Sequence, residues 1–232
     1  MKNICFIGAF EKLDLLLYMA KIIKYLNKSV LIIDATEVQK SRYIVPTINP
    51  TKSYVTNYED IDIAIGFKSY EEIEKYIGMT ENQKMNYDYI LVNIDDGSIV
   101  KNFNNCDTAK NYFVTSLELY SIRKGLEVIK NIDRPIKIKR VIFSNNINQS
   151  DNYYLDYLSL GYKTIWEDEN IIFPCIVEDM ENMIESQKIS KIKIKGLSQL
   201  YKDSLASILA DFIEDTNINN FKKLMKSIEK EG

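Results

Sequence analysis

The sequence predicts an α/β fold with a doubly wound, mostly parallel sheet flanked by helices. Short apolar runs alternate with helical segments along the chain, and no Pro- or Gly-rich linker separates them. Tyr89–Val92 is apolar throughout, which is typical of a central strand buried on both faces. With 232 residues, 46% of them hydrophobic, the chain is long enough for one large domain with a substantial core. Strands separated by helices favour crossover connections within one parallel sheet.

The first half of the chain predicts strands and helices in alternation. The opening elements are a strand at Asn3–Ile7, a tight turn at Gly8–Lys12, a helix at Leu13–Leu26 and a strand at Val30–Ile33 that ends in Asp34. A mixed region follows over 36–69, with two β-leaning pieces, Tyr43–Ile48 and Ile61–Ile65. Ser69–Tyr76 predicts a short helix before the central strand at Tyr89–Val92.

The second half continues the same alternation. Tyr112–Val114 predicts another central strand, and it leads into Thr115–Glu118, a Thr-x-x-Glu pattern that predicts a capping box opening a helix over Leu117–Ile129. The later predicted elements are a strand at Ile138–Phe143, a helix at Tyr153–Leu160, a strand at Asn170–Cys175 and helices at Val177–Glu185, Leu197–Glu214 and Asn219–Lys230. We expect residues 1–216 to form the α/β domain and 217–232 a basic amphipathic helix or tail.

Composition and charge exclude several classes of protein. A net charge of −3 and a pI near 5.3 argue against nucleic-acid binding by the whole surface, although a local basic face is compatible with them. The chain has no histidine, which rules out a Ser-His-Asp triad and disfavours a conventional zinc site. Cys5, Cys106 and Cys175 are odd in number and lack metal-ligand spacing, so we expect reduced thiols in a cytoplasmic protein. No apolar run approaches the roughly 18 residues of a membrane-spanning helix.

The turn after the first strand has the outline of a phosphate-binding loop. In an intact P-loop, backbone N–H groups face the phosphates, a lysine neutralises their charge and a Ser or Thr hydroxyl holds Mg²⁺. Gly8 and Lys12 are of the residue types that serve the first two roles. Glu11 brings a negative charge to the position of the phosphates, and Leu13 offers no oxygen to a metal ion. We therefore expect neither catalytic residues nor a metal site.

Several motifs in order resemble the MinD/ParA family of deviant-Walker ATPases. Gly8–Lys12 and Leu13-Asp14-Leu15 are similar to the family's K-G-G-V-G-K-T-T, and Val30–Ala35 is similar to V-L-L-I-D-A-D. Tyr87–Gly97 resembles the Walker B strand and switch, Y-D-Y-I-I-I-D-T-P-P-G, and Val114–Leu119 resembles V-T-T-P-E-L. Each motif is weak alone, but four in order at sensible spacing imply the P-loop NTPase-like fold of the MinD/ParA type.

Two weaker matches extend the resemblance to about residue 185. Phe143–Asn146 lies where the family has V-x-N-R, and Phe173-Pro174 lies where it has I-P. Both family segments approach the nucleotide base, so the resemblance implies weak base-side candidates at Asn145 and Pro174.

The departures from the family pattern concern most of the phosphate chemistry. The family's first lysine is Ile7 here, its second and third glycines are Ala9 and Glu11, and its Mg²⁺-binding threonine is Leu13. The second aspartate of D-A-D is Thr36, and the Walker B aspartate is Asn93. The two switch prolines are Asp95 and Asp96. Gly8, Lys12 and Asp34 remain as a vestigial phosphate site, with Asn93 and Asp95 as weaker candidates. The resemblance with these losses implies that Mg-ATP hydrolysis is absent.

The remaining charged residues have structural alternatives. Lys12 is either a phosphate ligand or the partner of Asp34 or Asp95 in a salt bridge, and we favour the structural role. Asp34, Asp95 and Asp96 either form an acidic pocket for a divalent cation or a solvated cluster at the strand ends. We favour the solvated cluster, because no fixed ligand spacing supports a metal. Glu118 is expected only to cap its helix.

The C-terminal segment has the pattern of a basic amphipathic helix. Its apolar positions follow helical spacing and lysines cover the other side. The apolar positions are Phe221, Leu224, Met225 and Ile228. Such a helix either lies on an anionic membrane, as the family member MinD does with its own C-terminal helix, or packs on its own domain or on a partner. We favour packing, because Glu229 and Glu231 dilute the charge.

The resemblance and the departures together imply a pseudo-ATPase. We expect a positioning or assembly scaffold that binds protein partners, nearest to the TadZ/CpaE-like branch that localises a pilus or secretion apparatus, or a relative of plasmid partition proteins. One alternative is a residual ATPase in which Lys12 and Asp34 suffice, and another is a membrane-associated adaptor at the inner face of the membrane. No cofactor is expected, although ATP or ADP bound without efficient hydrolysis stays open. The expected partners are proteins, including a second copy, and no nucleic acid.

Overall fold

The computed structural model describes residues 1–47, 52–80, 85–103, 110–214 and 216–231. Within these ranges nine strands form one sheet. They are β1 (Lys2–Ile7), β2 (Val30–Ala35), β3 (Tyr54–Tyr58), β4 (Ile61–Ile65), β5 (Tyr89–Ile94), β6 (Lys110–Ser116), β7 (Ile136–Phe143), β8 (Thr164–Trp166) and β9 (Ile171–Phe173). Their order is β3-β4-β2-β5-β1-β6-β7-β8, with β9 also paired to β7. All pairs are parallel except β3 with β4, which confirms the predicted doubly wound sheet.

Helices cover both faces of the sheet. They are α1 (Leu13–Tyr25), α2 (Ser41–Ile44), α3 (Tyr70–Thr80), α4 (Val100–Phe103), α5 (Leu119–Lys130), α6 (Gln149–Leu158), α7 (Val177–Ile189), α8 (Gln199–Phe212) and α9 (Ile218–Glu231). One core cluster joins α1, α8 and α9 to the sheet, and the other joins α3, α5 and part of α6 to its opposite face. Residues alternate between the two clusters along each central strand, because successive side chains of a strand point to opposite faces.

The region between β2 and β4 differs from the prediction. The β-leaning piece Tyr43–Ile48 is wrong where the structure describes it, since Tyr43 and Ile44 belong to the short helix α2 and Ile48 lies outside the described residues. The carboxylate of Asp34 explains this helix, because its Oδ2 accepts the backbone N–H of Ser41 at 3.0 Å and so satisfies a helix N-terminus. The strand before β4 is instead β3, which pairs with it antiparallel.

The predicted capping box before α5 is also wrong. The helix begins at Leu119, and Glu118 stands at its N-cap without a side-chain capping bond. The Thr115 hydroxyl cannot cap the helix, because it donates to the carbonyl of Ser116 at 2.8 Å. Ser121 serves this turn instead, its Oγ accepting the backbone N–H of Ser116 at 3.1 Å.

The apolar face of the C-terminal helix packs on the domain itself. Phe221, Met225 and Ile228 are buried in the core and Leu224 is partly buried against it. The helix α9 contacts α8 and α1. The membrane contact considered for these four side chains is therefore not available in this structure, because they already lie against protein. Within the ranges given above, the structure has no helix with the length and apolarity needed to cross a membrane.

Truncating the α9 face is expected to destabilise the protein. Met225→Ala removes most of a side chain that is 1% exposed, and we expect a loss of about 2 kcal/mol in the free energy of unfolding. Lys226→Ala, at the next and exposed position, is the matched control and should change stability by less than about 0.5 kcal/mol. Urea unfolding measures both, and equal stabilities would contradict the packing of α9.

Candidate functional site

The candidate site lies where β1, β2 and β5 end side by side. Ile7 of β1 lies opposite Ile94 of β5, and Asp34 of β2 lies opposite Asn93 of β5. Parallel strands bring their carboxyl ends to one edge of the sheet, where open α/β sheets bind ligands. A cleft of about 220 Å³ opens there, and we call it the phosphate-loop cleft. It is lined by Ala9, Phe10, Glu11, Lys12, Thr36, Glu37, Val38, Lys40, Asn93, Asp95, Tyr120 and Lys124.

Gly8 holds the beginning of the loop in a conformation that other residues rarely adopt. Its φ is +142°, and its N–H donates to the carbonyl of Ile94 at 3.0 Å. A Cβ at this position would lie 2.2 Å from the carbonyl oxygen of Val114. The glycine is therefore needed for the close approach of the loop to β6, whether or not a phosphate binds.

The N-terminus of α1 is occupied by a carboxylate of the same loop. Glu11 Oε1 accepts the backbone N–H of Leu13 at 2.8 Å, and Glu11 Oε2 lies 3.7 Å from the Lys40 ammonium. Free N–H groups at a helix N-terminus are the usual site for a phosphate, because they and the helix dipole favour negative charge. Glu11 places its own negative charge there.

Lys12 turns back onto the loop. Its side chain is buried, and its Nζ donates to the carbonyls of Gly8 at 2.7 Å and Phe10 at 3.4 Å. Among the described residues no carboxylate forms an ion pair with it, so the salt bridge considered from the sequence is not formed. Burial lowers the pKa of Lys12 from its ordinary 10.5 to about 8, although the charges of Asp95, Glu11 and Asp34 raise it.

Asp34 is committed to the loop that follows β2. It is 1% exposed, and its Oδ1 accepts the hydroxyl of Thr36 at 2.6 Å while its Oδ2 accepts the backbone N–H of Ser41. These contacts fasten the segment that carries Lys40 to the edge of the cleft. Asp34 therefore acts as a structural anchor in this arrangement.

The end of β5 supplies an amide where an acid would hold a metal. Asn93 is buried, and its Oδ1 has no hydrogen-bond partner in the part of the chain that the structure describes. Asp95 accepts the backbone N–H of Glu37 at 2.8 Å, and burial raises its pKa. Asp96 accepts the N–H and hydroxyl of Ser98 at 2.7 and 2.8 Å. No group of three or more Cys, Asp or Glu among the described residues is placed to hold a metal ion.

Phe10 packs against the ends of β7 and β9. Its ring stacks on Phe143 with centroids 4.6 Å apart, and Phe143 stacks on Phe173 at 5.1 Å. This aromatic stack borders a second cavity of about 320 Å³ between α1 and α7, which we call the apolar groove. Phe10 thus occupies the space between the phosphate-loop cleft and the ends of β7 and β9.

Asn145 and Pro174 lie next to each other but outside the phosphate-loop cleft. Asn145 Oδ1 accepts the backbone N–H of Cys175 at 2.7 Å, and its Nδ2 donates to the carbonyl of Cys175 at 3.1 Å. This pair of bonds joins the loops after β7 and β9. Pro174 lines the apolar groove and an open groove of about 990 Å³ beside α8. Cys175 and Cys5 are free thiols, and Cys106 lies outside the described residues.

Five residues that line the phosphate-loop cleft are not indicated by the sequence, and they are Glu37, Val38, Lys40, Tyr120 and Lys124. Lys40 enters it because Asp34 fixes the preceding loop, and Lys124 and Tyr120 enter it from the first turns of α5. The cleft thus has three ammonium groups and three carboxylates, those of Lys12, Lys40, Lys124, Glu11, Glu37 and Asp95. The positive and negative charges of the cleft are therefore balanced. Its volume is smaller than the 300–1,000 Å³ or so that is usual for a site enclosing a small-molecule ligand.

No family model and no curated protein matches the sequence significantly. Solved structures do match it. A ParA family ATPase from Chlorobium tepidum TLS has a TM-score of 0.55 and 16% identity, with 88% of this chain and 96% of that one covered. A chain of the MinC:MinD cell division protein complex from Aquifex aeolicus has a TM-score of 0.54 and 17% identity, with 97% of this chain and 96% of that one covered. A plasmid partition protein from Borrelia burgdorferi B31, bound to AMPPNP, has a TM-score of 0.51 and 13% identity, with both chains fully covered. These likenesses establish the fold.

Proposed function

We propose that this chain, which has the fold of the ParA and MinD ATPases, is a pseudo-ATPase that acts as a positioning or assembly scaffold. It would work through contacts with protein partners rather than through turnover of ATP. The resemblance in the sequence favours a TadZ/CpaE-like role at a pilus or secretion apparatus, or a role in partitioning. Action in the cytoplasm and the absence of a nucleic-acid partner remain expectations from composition.

The observation that carries the proposal is that the chain fills its own phosphate site. A carboxylate from Glu11 holds the N–H of Leu13, and the ammonium of Lys12 is bonded to carbonyls of the loop. A phosphate entering here has to displace Glu11 and would still find no oxygen ligand for Mg²⁺ at Leu13 or a carboxylate at Asn93. At an effective dielectric of about 20, two unit charges 4 Å apart repel by about 4 kcal/mol. The ammonium groups of Lys12, Lys40 and Lys124 at this cleft have to offset that repulsion.

A protein partner is the ligand class that this edge of the sheet suits best. Exposed side chains at its rim include Tyr120 on α5 and Met180 on α7, which are of the types enriched in protein interfaces. One of the structural neighbours is seen as a complex of MinC with MinD. A partner seated on this rim would cover the phosphate-loop cleft without needing a nucleotide in it.

The runner-up is a residual ATP-binding protein, and Lys12 is the observation in its favour. A buried ammonium with no carboxylate partner among the described residues is costly, and a phosphate would supply the missing counter-charge. This reading requires the Glu11 side chain to swing out of the loop.

The melting temperature with nucleotides separates the two functions. We expect saturating Mg-ATP, Mg-ADP and magnesium-free ATP to leave it unchanged within error, because the anion site is filled. A ligand at about 100 times its Kd adds ~2.7 kcal/mol, which is a shift of several degrees for a domain of this size. Differential scanning fluorimetry detects such a shift.

Two variants sharpen this test. Lys12→Ala must abolish any stabilisation that runs through the phosphate-loop cleft, whereas Lys124→Ala at its rim should retain most of it. A nucleotide shift that Lys12→Ala removes would overturn the pseudo-ATPase proposal in favour of residual binding. Glu11→Gly frees the N–H of Leu13, and we expect nucleotide affinity to rise in that variant if Glu11 is the element that blocks the site.

A further inference from the structure

The sheet ends in an edge strand whose outward backbone groups can be assigned. β8 stands last in the strand order and pairs with the first half of β7. The N–H of Ile136 donates to the carbonyl of Lys163, and the N–H of Glu167 donates to the carbonyl of Ile138, both at 3.0 Å. Backbone groups of alternate residues face the same neighbour. Thr164 and Trp166 therefore direct their N–H and C=O groups away from β7.

The side chains along β8 of one copy are complementary to those along β8 of a second copy that runs antiparallel to it. Ile165 stands in its centre and is 51% exposed. Lys163 lies two residues before it and Glu167 two residues after it. In an antiparallel pair of two such strands centred on Ile165, each lysine would stand opposite the glutamate of the other copy. Glu167 already pairs with Lys110 and Lys139 of its own chain at 3.0 and 3.3 Å, so Lys163 of the other copy would join that ion-pair group as a further cation. A parallel pair would place lysine opposite lysine, which is unfavourable.

The layer above the strand adds exposed apolar surface. The indole N–H of Trp166 donates to the hydroxyl of Ser159 at 2.9 Å, which places the C-terminus of α6 over β8. Tyr157 and Leu160 at this end of the helix are 68% and 71% exposed. β8 contains no proline, but it is only three residues long, and short length is one of the devices that limit pairing at a sheet edge.

We propose that two copies of this chain pair their β8 strands antiparallel, about a two-fold axis at Ile165. Thr164 of each copy then exchanges two backbone hydrogen bonds with Trp166 of the other, and the two Ile165 side chains meet as a non-hydrogen-bonded pair. Tyr157 and Leu160 of both copies flank the axis. The dimer joins two sheets at their edges and leaves the phosphate-loop cleft of each copy open, so it needs no nucleotide.

Sedimentation velocity of the full chain tests the dimer. We expect a monomer–dimer equilibrium that responds to protein concentration and is the same with and without Mg-ATP. Ile165→Lys should weaken it by about tenfold or more, because it sets like charges opposite each other on the axis. Thr164→Pro should do the same, because it removes an outward N–H and no bond to β7. Both variants should keep the circular dichroism and melting behaviour of a folded monomer.

A cross-link tests the register. The Cα atoms of a non-hydrogen-bonded antiparallel pair are about 4.5 Å apart, which is within the range of a disulfide. In a chain whose Cys106 and Cys175 are replaced by serine, Ile165→Cys should form a covalent dimer under mild oxidation. Ile172→Cys is the matched control on β9, at the same edge of β7 and 45% exposed. In the proposed dimer its two copies lie about 30 Å apart and should not cross-link.

Three results would overturn this dimer. They are a wild-type chain that stays monomeric at high concentration, a dimer that forms only with nucleotide, and equal cross-linking of Ile172→Cys and Ile165→Cys. A dimer that survives Ile165→Lys and Thr164→Pro would place the contact on another surface and sink the proposal as well.

Discussion

Replacing Lys12 by methionine is expected to stabilise the fold by about 2 kcal/mol at neutral pH. A lysine pKa lowered from 10.5 to about 8 means that the buried charge reduces the free energy of unfolding by about 3 kcal/mol. Methionine has a similar length and no charge, but it gives up the hydrogen bonds to Gly8 and Phe10, worth about 1 kcal/mol. The balance favours the variant.

The pH dependence follows from the sign of the Lys12 shift. Between pH 8 and 10.5 the unfolded chain keeps the Lys12 proton while the folded protein has lost it, so wild-type stability rises with pH in this window. Below pH 8 both states are protonated and the penalty is constant. The advantage of Lys12→Met should therefore be full at pH 7 and small near pH 10.5.

Urea unfolding of both proteins at pH 7 and pH 10 measures this difference. Lys124→Met is the control, because that lysine is exposed at the rim of the same cleft and should change stability by less than about 0.5 kcal/mol. A Lys12→Met protein less stable than the wild type at pH 7 would show that Lys12 has a favourable partner, such as a retained anion.

Asp211→Asn is expected to destabilise the protein by about 3 kcal/mol. Asp211 on α8 accepts the ammonium groups of Lys139 and Lys110 and the hydroxyl of Tyr112, the last at 2.7 Å. Glu167 holds the same two lysines at 3.0 and 3.3 Å. Removing one anion from a largely buried group of this kind leaves two cations with a single carboxylate, which is costly.

Acid should erase the difference between Asp211→Asn and the wild type. Burial alone would raise the pKa of Asp211, but hydrogen bonds from Lys139, Tyr112 and Lys110 outweigh it and hold the pKa below its ordinary value. A lowered carboxyl pKa gives stability that is fully present above the unfolded value and is lost as pH falls through the folded one. The two proteins should therefore converge as the pH falls below the lowered pKa of Asp211.

The control for Asp211 lies on the same helix. Asp203 pairs with Lys222 at 3.0 Å on the surface, and Asp203→Asn should cost less than about 1 kcal/mol. Chemical denaturation of the three proteins between pH 3 and pH 7 gives the comparison. A loss for Asp211→Asn no larger than for Asp203→Asn would show that the network is solvated.

Most of the sheet could be predicted because its central strands are buried on both faces. Such strands appear in the sequence as unbroken apolar runs, and Val30–Ile33 of β2 and Tyr89–Val92 of β5 are examples. The short strands at its margins could not be predicted in this way. β3 has Thr56 and Asn57 in its centre, and β8 has three residues between polar neighbours. Their pairing depends on the positions of β4 and β7 in the fold, and a pattern of a few neighbouring residues gives no information on those positions.

The site was predictable in its position but not in its contacts. The order of strand, turn and helix predicts Gly8, Lys12, Asp34 and Asn93 at one edge of the sheet. In the structure Asp34 lies opposite Asn93 there, and Lys12 is bonded to Gly8. That the Glu11 carboxylate bonds Leu13 depends on the turn geometry of two adjacent residues. That Phe10 stacks on Phe143 depends on a strand more than a hundred residues away.

The Phe10–Phe143–Phe173 stack makes position 10 costly to change. A small residue there would leave a void against Phe143 and cost about 2 kcal/mol or more. Natural domains have only about 5–15 kcal/mol in reserve. Position 10 therefore contributes to the stability of the ends of β7 and β9 as well as to the shape of the loop, so a substitution made to alter the loop also alters the core.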